Sequence, residues 1–165
     1  MADAGLNAWT DKYIHEFARP ITAIREGSAY LNPQIVGDPH WTPLGAPASN
    51  KIGPNFTPPF PAYASGHATF GGALFQTLRK FYGTDRIRFT FMSDEFNGVT
   101  KDNNGVTRPR LSRSFSTLSH AEEENGQSRI YLGIHWAFDK TAGIEQGRRV
   151  ADYVMDNVFT PLRHR

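Results

Sequence analysis

The stretch Ala64-Ser65-Gly66-His67-Ala-Thr-Phe70-Gly-Gly-Ala-Leu74-Phe75-Gln-Thr-Leu78-Arg-Lys-Phe81-Tyr82 decides the architecture. Its bulky apolar residues, Phe70, Leu74, Phe75, Leu78 and Phe81, recur at helical spacing and predict a helix with that face toward a core. Ser65 is a natural N-cap, since its hydroxyl can accept from a backbone N–H of the first turn. Helix starts carry free N–H groups and partial positive charge, so Ser65-Gly66-His67 stands where an anion can bind. Gly66 lets the backbone approach a ligand with no Cβ in the way. His67 could exchange protons with that ligand near neutral pH. Taken singly, Ser65 reads better as a cap and His67 as a structural residue.

Outward from this helix, residues 4–18 read as another, with Leu6, Trp9, Tyr13 and Phe17 on or near one face. Pro20 is expected to close it. A short helix is expected near 21–30, followed by a long irregular stretch, 31–63, holding eight of the eleven prolines. Such a loop inside a domain is usually functional or wraps the surface. Residues 86–92 alternate as a short strand, and 93–113, with Asn103-Asn-Gly and Arg108-Pro-Arg, read as a loop. A third long helix is expected from Phe115 to about Gly133, with Glu122–Glu124 as a solvated face. The last helix, 137–158, carries Phe138, Ile144, Val150, Ala151, Val154 and Val158. The sum is an all-α fold: a helical bundle of about four main helices with long Pro-rich loops, in a single domain over 1–165.

Size and composition agree with one globular domain, at 165 residues, 39% hydrophobic and 13% aromatic. A net charge of +2 without a basic run gives no case for nucleic acid. With no cysteine, a thiolate-bound metal is excluded. No apolar run approaches the roughly 20 residues that span a bilayer, and the N-terminus lacks the blocks of a signal peptide. The chain reads as soluble, with no membrane partner and an open compartment.

Two further segments carry cations and histidines. Lys12 and Arg19 are seven residues apart, nearly two helical turns, so both could leave one face and converge on one anion. Two solvated cations is the plain alternative. Arg129 and His135 are six apart and would diverge on a continuous helix, but Gly133 offers a break. Asp139, four beyond His135, suits a carboxylate that orients the imidazole and leaves its other nitrogen free to bind a metal or attack phosphorus. An ordinary His–Asp pair at a helix start is the competing reading. His15, His40, His120 and His164 have no partner at ligand spacing and read as surface residues.

Together, Lys12-x6-Arg19-Pro20, Ser65-Gly66-His67 and Ser128-Arg129-x5-His135-x3-Asp139 resemble the signature shared by vanadium-dependent haloperoxidases and type 2 phosphatidic acid phosphatases. Pro58–Phe75 and Ser128–Trp136 look like the chloroperoxidase-type branch. The resemblance implies the fold of the C-terminal catalytic bundle of those enzymes. It implies vanadate as cofactor, at a site phosphate can also occupy, and hydrogen peroxide with chloride or bromide as substrates giving hypohalous acid. It implies that Lys12, Arg19 and Arg129 neutralise the vanadate oxygens, that Ser65 Oγ and the Gly66 N–H add hydrogen bonds, and that His135 is the sole protein ligand of the metal. His67 would be the acid–base group, Asp139 would orient His135, and Trp9 and Phe60 fall where relatives place aromatic residues near the halide.

Two departures bear on these expectations. Ala64 stands where proline is usual before Ser-Gly-His. Only eleven residues precede Lys12, where full-length relatives carry further helices, so an apolar face left by an incomplete bundle and homo-oligomers formed through it are expected. Two other functions are weighed: an acid phosphatase with His135 as nucleophile, and a non-catalytic anion-binding remnant or an assembly module. Trp9, Phe60 and the residues around Ser65 favour the peroxidase, as does the absence of the spans expected of a lipid phosphatase.

Overall fold

The computed structural model describes residues 1–27, 32–45, 57–102 and 105–158. Five α-helices dominate: α1 (Ala2–His15), a short α2 (Pro20–Glu26), α3 (Gly66–Tyr82), α4 (Leu118–Tyr131) and α5 (Ala137–Asn157). The four long ones form the expected bundle. Two three-residue strands, β1 (Phe89–Phe91) and β2 (Arg113–Phe115), pair antiparallel with Phe89 opposite Phe115. The segment expected as a loop between them is pinned by a 3-10 turn at Asp94–Phe96 and by the bridges Asn97–Arg110 and Lys101–Thr107.

Helix ends follow local chemistry. Ser65 caps α3 by accepting from the Ala68 N–H, and Thr117 caps α4 by accepting from the His120 N–H. Thr117 is why α4 begins at Leu118, leaving Phe115 in β2 rather than in the helix. Pro20 opens α2 instead of closing α1; at the first helical position its missing N–H costs nothing. What ends α1 is Glu16, in left-handed geometry at φ 45°, its N–H donating to the Lys12 carbonyl. Gly133, at φ 70°, turns the chain between α4 and α5, as its spacing from Arg129 and His135 suggested.

The core is not where side-chain size places it. Leu6 (71% exposed) and Tyr13 (61%) face outward, and the buried stripe of α1 is Ala4, Ala8 and Lys12. On α3, Leu74 and Phe81 are exposed while Gly66, Ala68, Thr69, Gly71, Gly72 and Ala73 are buried. On α5 the buried residues are Asp139, Gly143, Ile144, Gly147 and Ala151, with Phe138 exposed. Small residues let α3 and α5 touch backbone to backbone. A Cβ built on Gly147 would lie 2.1 Å from the Thr69 carbonyl oxygen, and one on Gly72 2.4 Å from that of Ile144.

Glu122 likewise departs from the solvated face expected of it. It is 1% exposed and accepts from Arg79 of α3 (2.9 Å) and Arg148 of α5 (3.1 Å), tying three helices together. Of the surface histidines, His15, His40 and His120 are exposed as expected, and His164 lies outside the described residues.

Gly147→Ala should therefore lower unfolding free energy by about 3 kcal/mol, the upper range for overpacking, because the added methyl meets backbone that cannot rotate away. Gly83→Ala, at φ 65° with no atom within 4 Å of the added carbon, should cost about 1 kcal/mol from conformation alone. Denaturant titration of both variants checks the difference.

Candidate functional site

α3 and α5 begin at the same place in the bundle: the Ser65 N–H donates to the Asp139 carbonyl at 3.3 Å. Around this point lie Lys12 from α1, Arg19 at the start of α2, His67 from the first turn of α3, Arg129 from the last turn of α4, and His135 just ahead of α5. The segment Pro58–Ala64 straps across them. The residues singled out in the sequence are thus brought together by five separate parts of the fold.

His135 is 6% exposed, with Nδ1 3.0 Å from both Asp139 carboxylate oxygens. Asp139 is fully buried and also accepts from the Trp136 N–H, so one carboxylate caps α5 and orients the imidazole. A carboxylate only accepts, which places the ring proton on Nδ1 and leaves a lone pair on Nε2. Nε2 is 2.9 Å from Arg19 Nη1, a donor, as that tautomer requires. Burial pushes the His135 pKa down, Asp139 opposes this, and the charges of Arg19 and Lys12 push further down.

The cations are held largely by backbone carbonyls. Lys12, wholly buried, donates to the carbonyls of Pro61 (3.0 Å), Ala62 (2.9 Å) and Ala64 (2.7 Å). All three ammonium protons are engaged, so Lys12 anchors the strap rather than pointing a donor at an anion as expected. Burial and then Arg19 lower its pKa to about 8, against the pull of Asp139. Arg19 donates through Nε to Phe60 O (2.8 Å) and through Nη1 to Ile134 O (2.7 Å). Burial brings its pKa to about 10, with Asp139 raising and Arg129 lowering it. Among the described residues, Arg19 Nη2 and Arg129 Nε are buried and have no hydrogen-bond partner.

His67 keeps an exposed edge, yet desolvation of its ring, then the Arg129 charge, bring its pKa to about 4, with a smaller push from His135. It is neutral at pH 7. Trp9 and Phe60 pack with centroids 5.4 Å apart, and the Lys12 ammonium lies 5.2 Å from the Phe60 ring. Trp9 also abuts Gly66, where a Cβ would sit 2.7 Å from its ring.

Asn125, passed over in the sequence, donates through Nδ2 to the His67 carbonyl at 3.2 Å. Its position four residues before Arg129, one turn along the same helix face, is the signal that could have found it. The Trp136 indole, donating to Ala18 O at 2.9 Å, was also unforeseen. Among the described residues, no group of three or more His, Cys, Asp or Glu side chains is arranged to hold a metal ion, and no helix is long and apolar enough to cross a membrane.

Comparison with known proteins agrees with this arrangement. The family described as the VCPO second helical-bundle domain matches residues 1–164. Vanadium chloroperoxidase of Curvularia inaequalis is 42% identical over 164 aligned residues, taking in 85% of this chain and 26% of that protein. The crystal structure of the first bacterial vanadium-dependent iodoperoxidase superimposes with a TM-score of 0.65 at 31% identity, over 94% of this chain and 30% of that one. A holo-type bacterial vanadium-dependent chloroperoxidase, at 21% identity, shares the fold with a TM-score of 0.66 over 90% of this chain and 32% of its own. The chain thus spans about a quarter of the curated relative's length and about a third of these structures. Its homologues are vanadium haloperoxidases, and the chain belongs to the family of the second helical-bundle domain of vanadium chloroperoxidase.

Proposed function

We propose that this chain forms the vanadate-holding domain of a haloperoxidase that oxidises chloride or bromide with hydrogen peroxide to hypohalous acid. The observation that carries the reading is the pair of buried guanidinium N–H groups without partners among the described residues, Arg19 Nη2 and Arg129 Nε. Buried donors left unsatisfied are costly, and a tetrahedral oxyanion satisfies both. The donor set suits vanadate: two guanidinium groups, a helix N-terminus opened by Gly66, and one carboxylate-backed imidazole nitrogen. When bound, vanadate supplies an electrophilic centre that makes peroxide oxygen reactive toward halide.

The chain's residues divide the remaining work. His135 would hold the metal through Nε2, its ring fixed by Asp139, with the Arg19 Nη1 hydrogen bond to that nitrogen giving way. Arg19 and Arg129 would donate to oxygens of the bound oxyanion, with Ser65 and the Gly66 N–H adding hydrogen bonds. Lys12 would contribute charge from behind the strap it anchors, since its protons serve carbonyls. His67, neutral near pH 7, would accept a proton from incoming peroxide at a ring nitrogen. Trp9 and Phe60 give one side of the site an aromatic wall against which a halide could lie. The same Nε2 lone pair, backed by Asp139, also suits attack on phosphorus, which keeps acid phosphatase as a second reading.

Parallel assays separate the two. Purified protein loaded with vanadate, given peroxide and bromide, should brominate a reporter dye. Hydrolysis of a chromogenic phosphomonoester without vanadate should stay near background. Phosphatase turnover with no halogenation would favour the second reading. His135→Ala should abolish tight vanadate binding in equilibrium dialysis. His67→Ala should keep vanadate affinity within a few-fold while lowering halide oxidation by about 10² or more.

Anion affinity should also depend on pH through Lys12. Its pKa is depressed, so its cation is present below about 8 and is lost as pH rises through that value. Calorimetric phosphate affinity should thus weaken between pH 8 and 9.5. Inorganic phosphate is already a dianion there, so a decline reports the protein, and a flat profile would remove Lys12 from the binding charge.

A further inference from the structure

The residue after His135 reaches the residue before Arg19. Trp136 is half-buried, and its indole Nε1 donates to the main-chain carbonyl of Ala18 at 2.9 Å. Arg19 sends its side chain back the other way: Nη1 donates to Ile134 O at 2.7 Å and lies 2.9 Å from His135 Nε2. Residues 134–136 and residues 18–19 are thus stitched together in both directions. The carbonyls between α1 and α2 are taken one after another. Phe17 O accepts from the Ala62 N–H of the strap (2.8 Å), Ala18 O from the indole, and Arg19 O from the Thr22 N–H inside α2 (3.0 Å). Trp136 also opens α5, and its own N–H donates to the Asp139 carboxylate (3.3 Å), the group that holds the His135 ring. One residue therefore bonds by its main chain to what orients His135, and by its side chain to the peptide group from which Arg19 leaves.

We propose that Trp136 is a positioning residue for the anion site: its indole bond fixes the Ala18–Arg19 peptide, and through it the place of the Arg19 guanidinium relative to His135. The proposal rests on the anion-binding reading above for the guest, and on geometry for the contact. A peptide group is planar, so the group that pins the Ala18 oxygen also sets the Arg19 nitrogen and Cα. An indole N–H only donates, and the carbonyl is the acceptor it has here. An arginine side chain has several rotatable bonds, whereas a guanidinium recognises an oxyanion through donors in a fixed fork. Nε is held by Phe60 O at 2.8 Å, and Nη1 by Ile134 O and the ring. Nη2 takes its direction from these anchors, and among the described residues it has no partner. A donor kept for a guest is useful only where the guest's oxygen will stand, and small displacements are costly. An indole that merely satisfied a carbonyl would affect stability and leave Arg19 where it is.

Trp136→Phe keeps a ring against Phe17 and Phe138, whose centroids lie 6.5 and 6.4 Å away, and removes the N–H. Inorganic phosphate, titrated by calorimetry at pH 7, should bind this variant about five- to tenfold more weakly than the parent, the scale of one well-placed hydrogen bond. In an Arg19→Lys background there is no fork to aim. Adding Trp136→Phe there should weaken phosphate by about twofold or less, the non-additivity of residues that act as one unit. In the guest-free protein, the nitrogen resonance of His135 Nε2 should move in Trp136→Phe toward that of a ring nitrogen with no donor, as Arg19 Nη1 shifts off it. Gly83→Ala, at the opposite end of α3, lowers stability and should leave both readings at the parent's values. Benzothienylalanine at position 136, with sulfur in place of the N–H, keeps the bicyclic shape and should reproduce both effects. It decides the matter if Trp136→Phe folds poorly. Unchanged phosphate affinity in Trp136→Phe, or an unchanged ring resonance, would overturn the proposal. So would the full loss persisting in the Arg19→Lys background, since the indole would then act other than through the guanidinium. If the parent binds phosphate and oxidises no halide, the haloperoxidase reading fails alone. If it binds no phosphate, the ring resonance still decides whether Trp136 sets Arg19.

Discussion

The close crossing of α3 and α5 is the constraint on which the remaining geometry depends. Gly72, Gly143 and Gly147 leave carbonyl oxygens of one helix where side chains would otherwise stand on the other. Because the axes approach so closely, the first turns of both helices meet, and Ser65 reaches the Asp139 carbonyl. Two helix N-termini, each with free N–H groups and partial positive charge, are thereby brought to one point. An anion is the ligand such a junction favours. Asp139 sits at the same point as cap of α5, and its partnership with His135 follows from that duty: the carboxylate serving the Trp136 N–H is already beside the ring that precedes the helix.

Charge at this point is lopsided. Lys12 and Arg19 share the field of one carboxylate, Asp139, with Arg129 near Arg19, and each cation's pKa is pushed down chiefly by burial. Buried like charges are tolerated only when something satisfies their donors. For Lys12 and for two N–H groups of Arg19 the something is main chain, while Arg19 Nη2 and Arg129 Nε are left over for a guest. Pro61, Ala62 and Ala64 take the three protons of Lys12, while Phe60 and Ile134 take two from Arg19. Carbonyls satisfy hydrogen bonds without cancelling charge, so the site stays positive and ordered at once. That is a form of preorganisation: the field a guest anion meets is set by covalent geometry and helix packing. It also explains the proline-rich strap, whose segment Pro58–Ala64 displays carbonyls without the competing ladder of a sheet.

How much was legible beforehand divides along physical lines. Lys12, Arg19, Ser65, Gly66, His67, Arg129, His135 and Asp139 could be picked out because their chemistry and spacing are local facts, and Gly133 marked the turn that joins two of them. Helix existence was legible for the same reason. Burial was not. Periodicity identified the helices correctly, but on α3 it directed Leu74 and Phe81 to the core, where they are exposed, because bulky residues and buried residues are different sets here. The buried face is written in Gly, Ala and Thr, whose signal on a hydropathy scale is faint. Glu122 and Lys12 failed the same test in reverse: charged residues carry an exposed expectation that only knowledge of Arg79 and Arg148, or of three carbonyls, can cancel. Asn125 was missed because an amide has no titration and no motif.

Small residues inside and large ones outside also separate two jobs that proteins often merge. A core of interlocking Leu and Phe would hold α3 and α5 apart by the length of their side chains, and the helix starts would no longer meet. Glycine and alanine contacts bury less apolar area per residue and so stabilise less, but they place backbone atoms with little freedom, and here backbone atoms hold the site: five carbonyls on two cations, and two helix starts. The exposed Leu6, Tyr13, Phe81 and Tyr153 take no part in those contacts. Site geometry is therefore set by the inner crossing, whatever the outer faces of α1, α3 and α5 meet, and changes on those faces act on stability or association before they act on the anion pocket.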